Sequence, residues 1–193
     1  MRARGLGIEI DGPGGVTISL RLSLLIMAAA LWITYAIVLL LAAETSDQIT
    51  YSSSTVLIGV ITYLVSVLAH EIGHGLAYRL CGLAWSHLEL SLTPRVRTSD
   101  IPRYGQQVFI SIAGPLAGAV PAVGVVLLGL LSGEGTLVLI GVLPLAEALL
   151  NLFVPVPFHN DAAKLYMSLY QVMRGRAQFP LHEDAYLDMQ TRH

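Results

Sequence analysis

The chain has 193 residues, of which 54% are hydrophobic and only 12% are charged, and its mean hydropathy is +0.67. This balance excludes an ordinary water-soluble globular domain and predicts an integral membrane protein. The formal net charge of -2 gives no indication of nucleic-acid binding, and no nucleic-acid partner is expected. The single cysteine, Cys81, excludes a disulfide within the chain.

Short strands are expected near the N-terminus and after the second membrane segment. Residues 7–10 and 16–20 flank a turn of glycine, aspartate and proline at 11–15, which is the pattern of two strands and a turn. Residues 88–92 also alternate, ahead of a polar segment at 93–103. These patterns predict a small β-sheet at the cytoplasmic face of the membrane.

Four stretches are apolar enough to cross a bilayer as helices, which takes about 20 residues each. They are residues 22–43, 56–80, 108–131 and 136–158. The first is longer than the apolar region of a signal peptide, so it is expected to remain as a spanning helix. The sequence thus predicts an α-helical integral membrane protein with one membrane-embedded domain at 1–177, a helix after the fourth span, and a tail at 178–193.

The distribution of charge predicts the topology. If the N-terminus is cytoplasmic, all 11 basic residues fall on the cytoplasmic side, whereas the opposite loops near 44–54 and 132–135 contain acids and no base. This asymmetry is the one that the positive-inside rule describes. We therefore expect both termini to lie in the cytoplasm. The expected location of this multi-pass protein is a bacterial cell membrane.

The second spanning stretch contains a His-Glu-x-x-His pattern formed by His70, Glu71 and His74. Histidines four residues apart lie on one face of a helix, so both can bind one zinc ion while Glu71 acts beside it as a general base. A charge in the centre of a membrane helix costs about 2.5–3.5 kcal/mol on insertion scales, so such a cluster is expected to be functional. His70 lies roughly 21 Å along the helix from its outer end, which predicts a site toward the cytoplasmic leaflet.

A third zinc ligand must come from another segment, because catalytic zinc usually has three protein ligands. Prolines at 155 and 157 are expected to break the fourth helix near the predicted depth of the histidine pair. His159 and Asp161 follow this break, and each is an acceptable ligand. Glu147, one turn before Asn151 on the same helix, is an intramembrane carboxylate for which the sequence identifies no partner.

The histidine pair and the Asn-Leu-Phe-x-Pro-x-Pro segment that begins at Asn151 and closes in Asp161 resemble the site-2 protease family of intramembrane zinc metalloproteases. The resemblance covers about residues 7–173. It implies one zinc ion per chain, held by His70, His74 and Asp161. It also implies that Asn151 helps to hold the substrate backbone, although capping or bridging of helices explains this asparagine equally well.

Two features depart from the family pattern. Ala162 stands where the family usually has glycine, and ten residues separate Asn151 from Asp161 where many members have eight. A spacing of eight would select His159 as the third ligand. The segment from Phe109 to Gly118 is similar to the Ala-Gly-Pro-rich start of the family's third core helix, although close packing by small residues is the favoured explanation of such a segment.

The resemblance implies hydrolysis of a peptide bond within or next to a transmembrane segment of a membrane-protein substrate, as in regulated intramembrane proteolysis, with a regulatory membrane partner. The substrate helix must unwind to present a carbonyl group, and the strand at 88–92 is a hypothetical partner for the unwound segment. The alternatives are a catalytically silent membrane scaffold, a metal-binding or transport protein of similar fold, and another class of metalloprotease with Glu147 as its third ligand.

Overall fold

A computed structural model describes residues 2–3, 7–12, 15–91, 94–98, 100–156 and 160–176 of the protein. Within these residues, four helices are long and apolar enough to cross a membrane: α1 (Ser23–Ala43), α2 (Ser53–Leu80), α3 (Tyr104–Ser132) and α4 (Gly135–Phe153). A shorter helix, α5 (Asp161–Met173), follows them. The predicted α-helical membrane fold is confirmed. The tail predicted at 178–193 lies outside the described residues.

Two helix ends differ from the sequence prediction by four residues or more. Helix α4 ends at Phe153 rather than at 158, because Pro155 has no N–H group and forces the residue before it out of the helical region. Val154 accordingly has extended backbone angles, φ -106° and ψ 102°. Helix α3 begins at Tyr104 rather than at 108, because its polar first turn is helical, with the backbone N–H of Arg103 donating to Oε1 of Gln106 at 2.8 Å.

Among the described residues, five short strands form one sheet, in the order β1 to β5. They are β1 (Arg2–Ala3), β2 (Gly7–Asp11), β3 (Thr17–Arg21), β4 (His87–Leu90) and β5 (Arg95–Arg97). The β3–β4 pair is parallel and the other pairs are antiparallel. The three predicted strands are confirmed, and β5 forms in a segment where the sequence indicated only polarity. Since β3 leads into α1 and β4 and β5 connect α2 to α3, the sheet lies at the end of the helix bundle where α2 ends.

A buried carboxylate joins three strands of this sheet. Glu89 on β4 accepts a hydrogen bond from Arg97 at 2.7 Å, and its oxygens lie 3.4 Å from Arg95 Nη2 and 3.6 Å from Arg21 Nε. Burial by itself raises the pKa of Glu89, but the three guanidinium groups outweigh this effect and hold the pKa below its ordinary value. The charged form of Glu89 therefore stabilises the β3–β4–β5 arrangement.

In the core between α1, α2 and α4, the hydroxyl group of Tyr35 replaces a backbone hydrogen bond that a proline removes from α4. Tyr35 on α1 is fully buried, and its hydroxyl donates to the carbonyl oxygen of Ile140 on α4 at 3.1 Å. That carbonyl would otherwise accept from residue 144, which is a proline without an N–H group. Gly59 on α2 leaves room for the ring, since a Cβ there would lie 2.6–2.9 Å from its atoms. Tyr35 thus allows Pro144 to remain inside a membrane helix.

Candidate metal centre

Helix α2 brings the two histidines of the predicted motif together. The Nε2 atoms of His70 and His74 are 3.1 Å apart, and their rings meet edge to face with centroids 4.7 Å apart. Glu71 lies between them in the chain, and its side chain is buried. Gly73 allows this turn of α2 to press against α3, because a Cβ at Gly73 would lie 2.6 Å from the carbonyl oxygen of Ala113.

Asp161, the first residue of α5, completes the group. Its Oδ2 atom lies 2.9 Å from Nε2 of His70 and 3.1 Å from Nε2 of His74. Its other oxygen, Oδ1, is 3.6 Å from Nζ of Lys164, one turn further along α5. The structure thus brings together the three side chains that the sequence proposed as ligands, whereas His159, the alternative ligand, lies outside the described residues.

The side chain of Asn160 holds the start of α5 against the end of α4. Its Oδ1 atom accepts from the backbone N–H groups of Ala163 and Val156, each at 3.1 Å, and its Nδ2 atom donates to the carbonyl oxygen of Val154 at 2.6 Å. Asn160 is therefore the N-cap of α5 and also the tie across the break between the two helices. These bonds fix the residue next to Asp161.

The geometry of the three side chains fits a zinc ion. Their ligand atoms all lie within 4.8 Å of one another, and the closest separations are 2.9–3.1 Å. Around a tetrahedral zinc with bonds of about 2.0–2.1 Å, neighbouring ligand atoms are roughly 3.3 Å apart. Small outward shifts would therefore accommodate the ion. Among the described residues, Glu147 does not belong to this group of ligands. The structure therefore does not support a metal centre with Glu147 as the third ligand.

The protonation of His74 also suits metal binding. Its Nδ1 atom lies 2.8 Å from the carbonyl oxygen of Ile110 on α3. A carbonyl can only accept, so Nδ1 carries the proton and Nε2, which faces His70 and Asp161, has a free lone pair when the ring is neutral. Zinc-binding histidines are usually oriented by a hydrogen bond of this kind.

Small residues of α3 form the wall behind the two histidines. A Cβ at Gly114 would lie within 2.8 Å of three ring atoms of His74, and a Cβ at Gly118 would lie 3.0 Å from Cβ of His70. The Ala-Gly-Pro segment does pack closely, as small residues allow, and it packs against the two histidines of the candidate metal centre. The sequence pointed to the segment but could not identify the side chains that it accommodates.

A cavity of about 460 Å³ opens beside the metal centre. Asn151 and Glu147 on α4 both line it, together with Arg95 and Val96 of β5. Gln107 of α3 also lines it and is buried, donating to Oγ of Ser111 at 3.0 Å. The sequence analysis did not identify Gln107 as a residue of the site. Its only signal was that it is a polar side chain in the first turns of a membrane helix.

Comparisons with known proteins agree with this arrangement at the level of the fold. No family model matches the sequence, and no curated protein matches it. Among solved structures, the chain is similar to a site-2 protease from Methanocaldococcus jannaschii, with a TM-score of 0.51 and 18% sequence identity, over 86% of this chain and 72% of that chain. The chain has the fold of a site-2 protease. The resemblance inferred from the sequence is thereby confirmed for the architecture. Within this site-2 protease fold, the candidate metal centre joins α2 to the first turn of α5, and α3 backs it.

Proposed function

We propose that the protein is an intramembrane zinc metalloprotease that hydrolyses a peptide bond within or next to a transmembrane segment of a membrane-protein substrate, as in regulated intramembrane proteolysis. The main support is the meeting of His70, His74 and Asp161 inside a bundle of four membrane-spanning helices, with Glu71 buried beside them. A carboxylate and two imidazoles are a usual ligand set for catalytic zinc.

The three ligands would hold one zinc ion and leave one coordination position for water or substrate. When bound, zinc polarises the scissile carbonyl group and activates water at neutral pH. The protein's own contribution is to hold the ligands. The carbonyl of Ile110 orients His74, the cap at Asn160 fixes the start of α5, and Lys164 lies beside the outer oxygen of Asp161.

Glu71 is the proposed general base. It would accept the proton of the attacking water and pass it to the amine of the leaving peptide. Its position supports this role, because it lies on α2 next to His70, is buried, and lines the same cavity as both histidines.

The substrate backbone would be held by Asn151 and by the edge of the sheet. The hypothesis that β4 pairs with the substrate is wrong, because β4 is already paired with β3 on one side and with β5 on the other. In the described sheet, β5 is one of the two edge strands, and it is the one beside the cavity, because residues 94–96 line it. We therefore propose strand addition at β5, since an unwound substrate segment needs partners for its backbone groups.

We also propose where the protein lies in the membrane and what kind of partner regulates it. The catalytic unit would be residues 1–177 of a multi-pass protein in a bacterial cell membrane, with both termini in the cytoplasm and the zinc toward the cytoplasmic leaflet. The distribution of basic residues supports this orientation. A regulatory membrane partner would control access to the cavity.

The direct test is Glu71→Gln, with zinc content and cleavage measured on the same purified sample in nanodiscs. We expect zinc to remain at the wild-type level, while cleavage of a membrane-tethered reporter falls by at least about 100-fold, the usual contribution of a general base. Glu44→Gln is the matched control, because Glu44 is exposed just after α1 at the opposite end of the bundle. Continued cleavage by the Glu71→Gln variant would contradict the proposed base, and zinc without cleavage in the wild type would favour the silent scaffold.

The third ligand has its own test. Asp161→Ala is expected to weaken zinc binding by at least about 100-fold, because two ligands would remain where catalytic sites use three. His159→Ala is expected to have a much smaller effect. If the two variants ranked in the opposite order in a competition titration with a zinc chelator, His159 would be the ligand.

A further inference from the structure

One charged side chain in the interior of the membrane helices is not used by the proposed chemistry. The four spanning helices contain five Asp, Glu, Lys, Arg or His residues. His70, Glu71 and His74 belong to the metal centre, and Arg79 lies in the last turn of α2, over the ring of Trp85. Glu147, in the middle of the apolar helix α4, remains without a function.

Glu147 faces the catalytic cavity. It lines that cavity together with the metal-binding side chains and lies one helical turn, about 6 Å, before Asn151. The cavity wall also includes Tyr63, whose hydroxyl group interacts with the carboxylate, and the apolar residues Met27 and Ala148. Glu147 is therefore an ionisable side chain in the wall of the cavity.

The carboxylate has unused capacity to accept hydrogen bonds. A carboxylate offers about four acceptor positions, and Tyr63 can fill one of them. In the part of the chain that the structure describes, no lysine, arginine or histidine forms an ion pair with Glu147. A carboxylate is expensive to keep inside a membrane, and side chains of this kind usually line a pathway or meet a partner. The remaining acceptor positions are open to the cavity, where a substrate would lie.

We propose that Glu147 is a specificity-determining residue that binds a cationic or amide side chain, of the lysine, asparagine or glutamine type, in the transmembrane segment of the substrate. The inference rests on the proposed function, because it takes the cavity to be the substrate site. The donor side chain lies on the outer-leaflet side of the residue held by Asn151. The distance of about 6 Å between Glu147 and Asn151 along α4 corresponds to about two residues of an unwound substrate, at about 3.3 Å per residue. In a helical substrate it corresponds to about one turn, at about 1.5 Å per residue.

Binding of transmembrane peptides tests the inference without requiring cleavage. Fluorescent peptides in nanodiscs carry a single lysine or glutamine at successive positions of a leucine-alanine segment, and their affinities for the Glu71→Gln protein are compared with that of the unsubstituted peptide. We expect one register to bind at least about tenfold more tightly, the effect of one charge-assisted hydrogen bond. In Glu147→Leu this preference should fall to within about twofold.

Two further variants show whether the position of the carboxylate matters. Glu147→Lys should reverse the preference, so that a peptide with aspartate in the same register binds best. The matched control is Glu147→Leu combined with Ala146→Glu, which keeps the charge and moves it to an exposed position of α4 that does not line the cavity. This control should not restore the lysine preference.

The results separate this inference from the proposed function. An unchanged lysine preference in Glu147→Leu, its restoration by Ala146→Glu, or no preferred register in the Glu71→Gln protein would each overturn the role of Glu147. Cleavage is measured separately with Glu71 intact. Cleavage without a register preference overturns this inference alone, whereas a register preference without cleavage overturns the protease and retains the binding site.

Discussion

Replacing Gly114 by alanine is expected to disrupt the metal centre without changing any ligand. In the folded protein, an added Cβ would lie within 2.8 Å of Nε2, Cε1 and Cδ2 of His74, whereas ordinary contacts are 3.4–4 Å. The backbone of α3 is tightly packed here, so the ring of His74 must move by about 1 Å. Such a displacement would also break the 2.8 Å bond between Nδ1 and the carbonyl of Ile110.

The size of the effect follows from the tolerance of metal sites. Ligand distances in such sites vary by only about 0.2 Å, so a shift of about 1 Å removes His74 as an effective ligand. Loss of an orienting hydrogen bond alone typically lowers metal affinity by about 10–100-fold. We therefore expect Gly114→Ala to weaken zinc binding by at least about 100-fold. The same change favours the helix, since alanine is about 1 kcal/mol better than glycine in a helix interior.

The assay measures two effects of Gly114→Ala that should have opposite signs, namely weaker zinc binding and unchanged or greater helix content. Zinc affinity is measured by competition with a chromophoric chelator, and helix content by circular dichroism, on protein in detergent. The matched control is Gly124→Ala on the same helix, where an added Cβ has nothing within 4 Å. Equal zinc affinities for Gly114→Ala and Gly124→Ala, with helix content preserved in both, would refute the close packing of α3 on His74.

For Asn160, Glu89 and Tyr35, the structure predicts the direction in which a substitution changes zinc affinity or stability. Asn160→Ala removes the cap of α5 and its tie to α4, so zinc affinity should fall by about tenfold, while Asn160→Asp should recover part of it because aspartate also caps helices. For Glu89, the folded-state pKa is below its ordinary value of 4.5, so its stabilisation is complete above that pH and is lost as the pH falls through the folded-state pKa. Glu89→Gln should therefore lower the melting temperature at pH 7 and have less effect near pH 3. Tyr35→Phe leaves the carbonyl freed by Pro144 without a donor, which should cost about 1–3 kcal/mol of unfolding free energy, and adding Pro144→Ala should recover much of the loss.

Each of these predictions has an outcome that contradicts it. Equal zinc affinities for Asn160→Ala and Asn160→Asp would show that the cap does not position Asp161. A melting-temperature difference for Glu89→Gln that is independent of pH would exclude its charge as the cause. If Pro144→Ala restored no stability to Tyr35→Phe, the hydroxyl would not be the substitute donor for that carbonyl.

The helices were predictable because hydropathy reports directly on what crosses a bilayer. Their ends were not, since a helix can continue into polar sequence, as α3 does at Tyr104, or stop within apolar sequence, as α4 does at Phe153. The edge strand β5 has only three residues, and its pairing depends on Glu89, which lies on another strand. Such a strand has almost no local signal of its own.

The candidate site was predictable to the extent that its pattern is local. His70, Glu71 and His74 are neighbours within one helical turn, so their spacing alone implies one face of one helix. The contact between Gly114 on α3 and the ring of His74 on α2 is a contact between two helices, and it depends on how closely these helices pack. Glycine in a membrane helix indicates close approach by some neighbour, but the sequence does not say which side chain fills the space.

The connection between α4 and α5 explains how the longer spacing between Asn151 and Asp161 is compatible with the site. A ligand within a continuous helix would be turned away by any inserted residue, because each residue rotates the helix by about 100°. Asp161 instead follows a proline break and occupies the first turn of a new helix, where the positive end of the helix dipole favours a carboxylate. Its position is set by the bonds of Asn160 to both sides of the break. A longer connection therefore leaves the carboxylate in place as long as this cap holds, and the distance along the chain matters less than the cap.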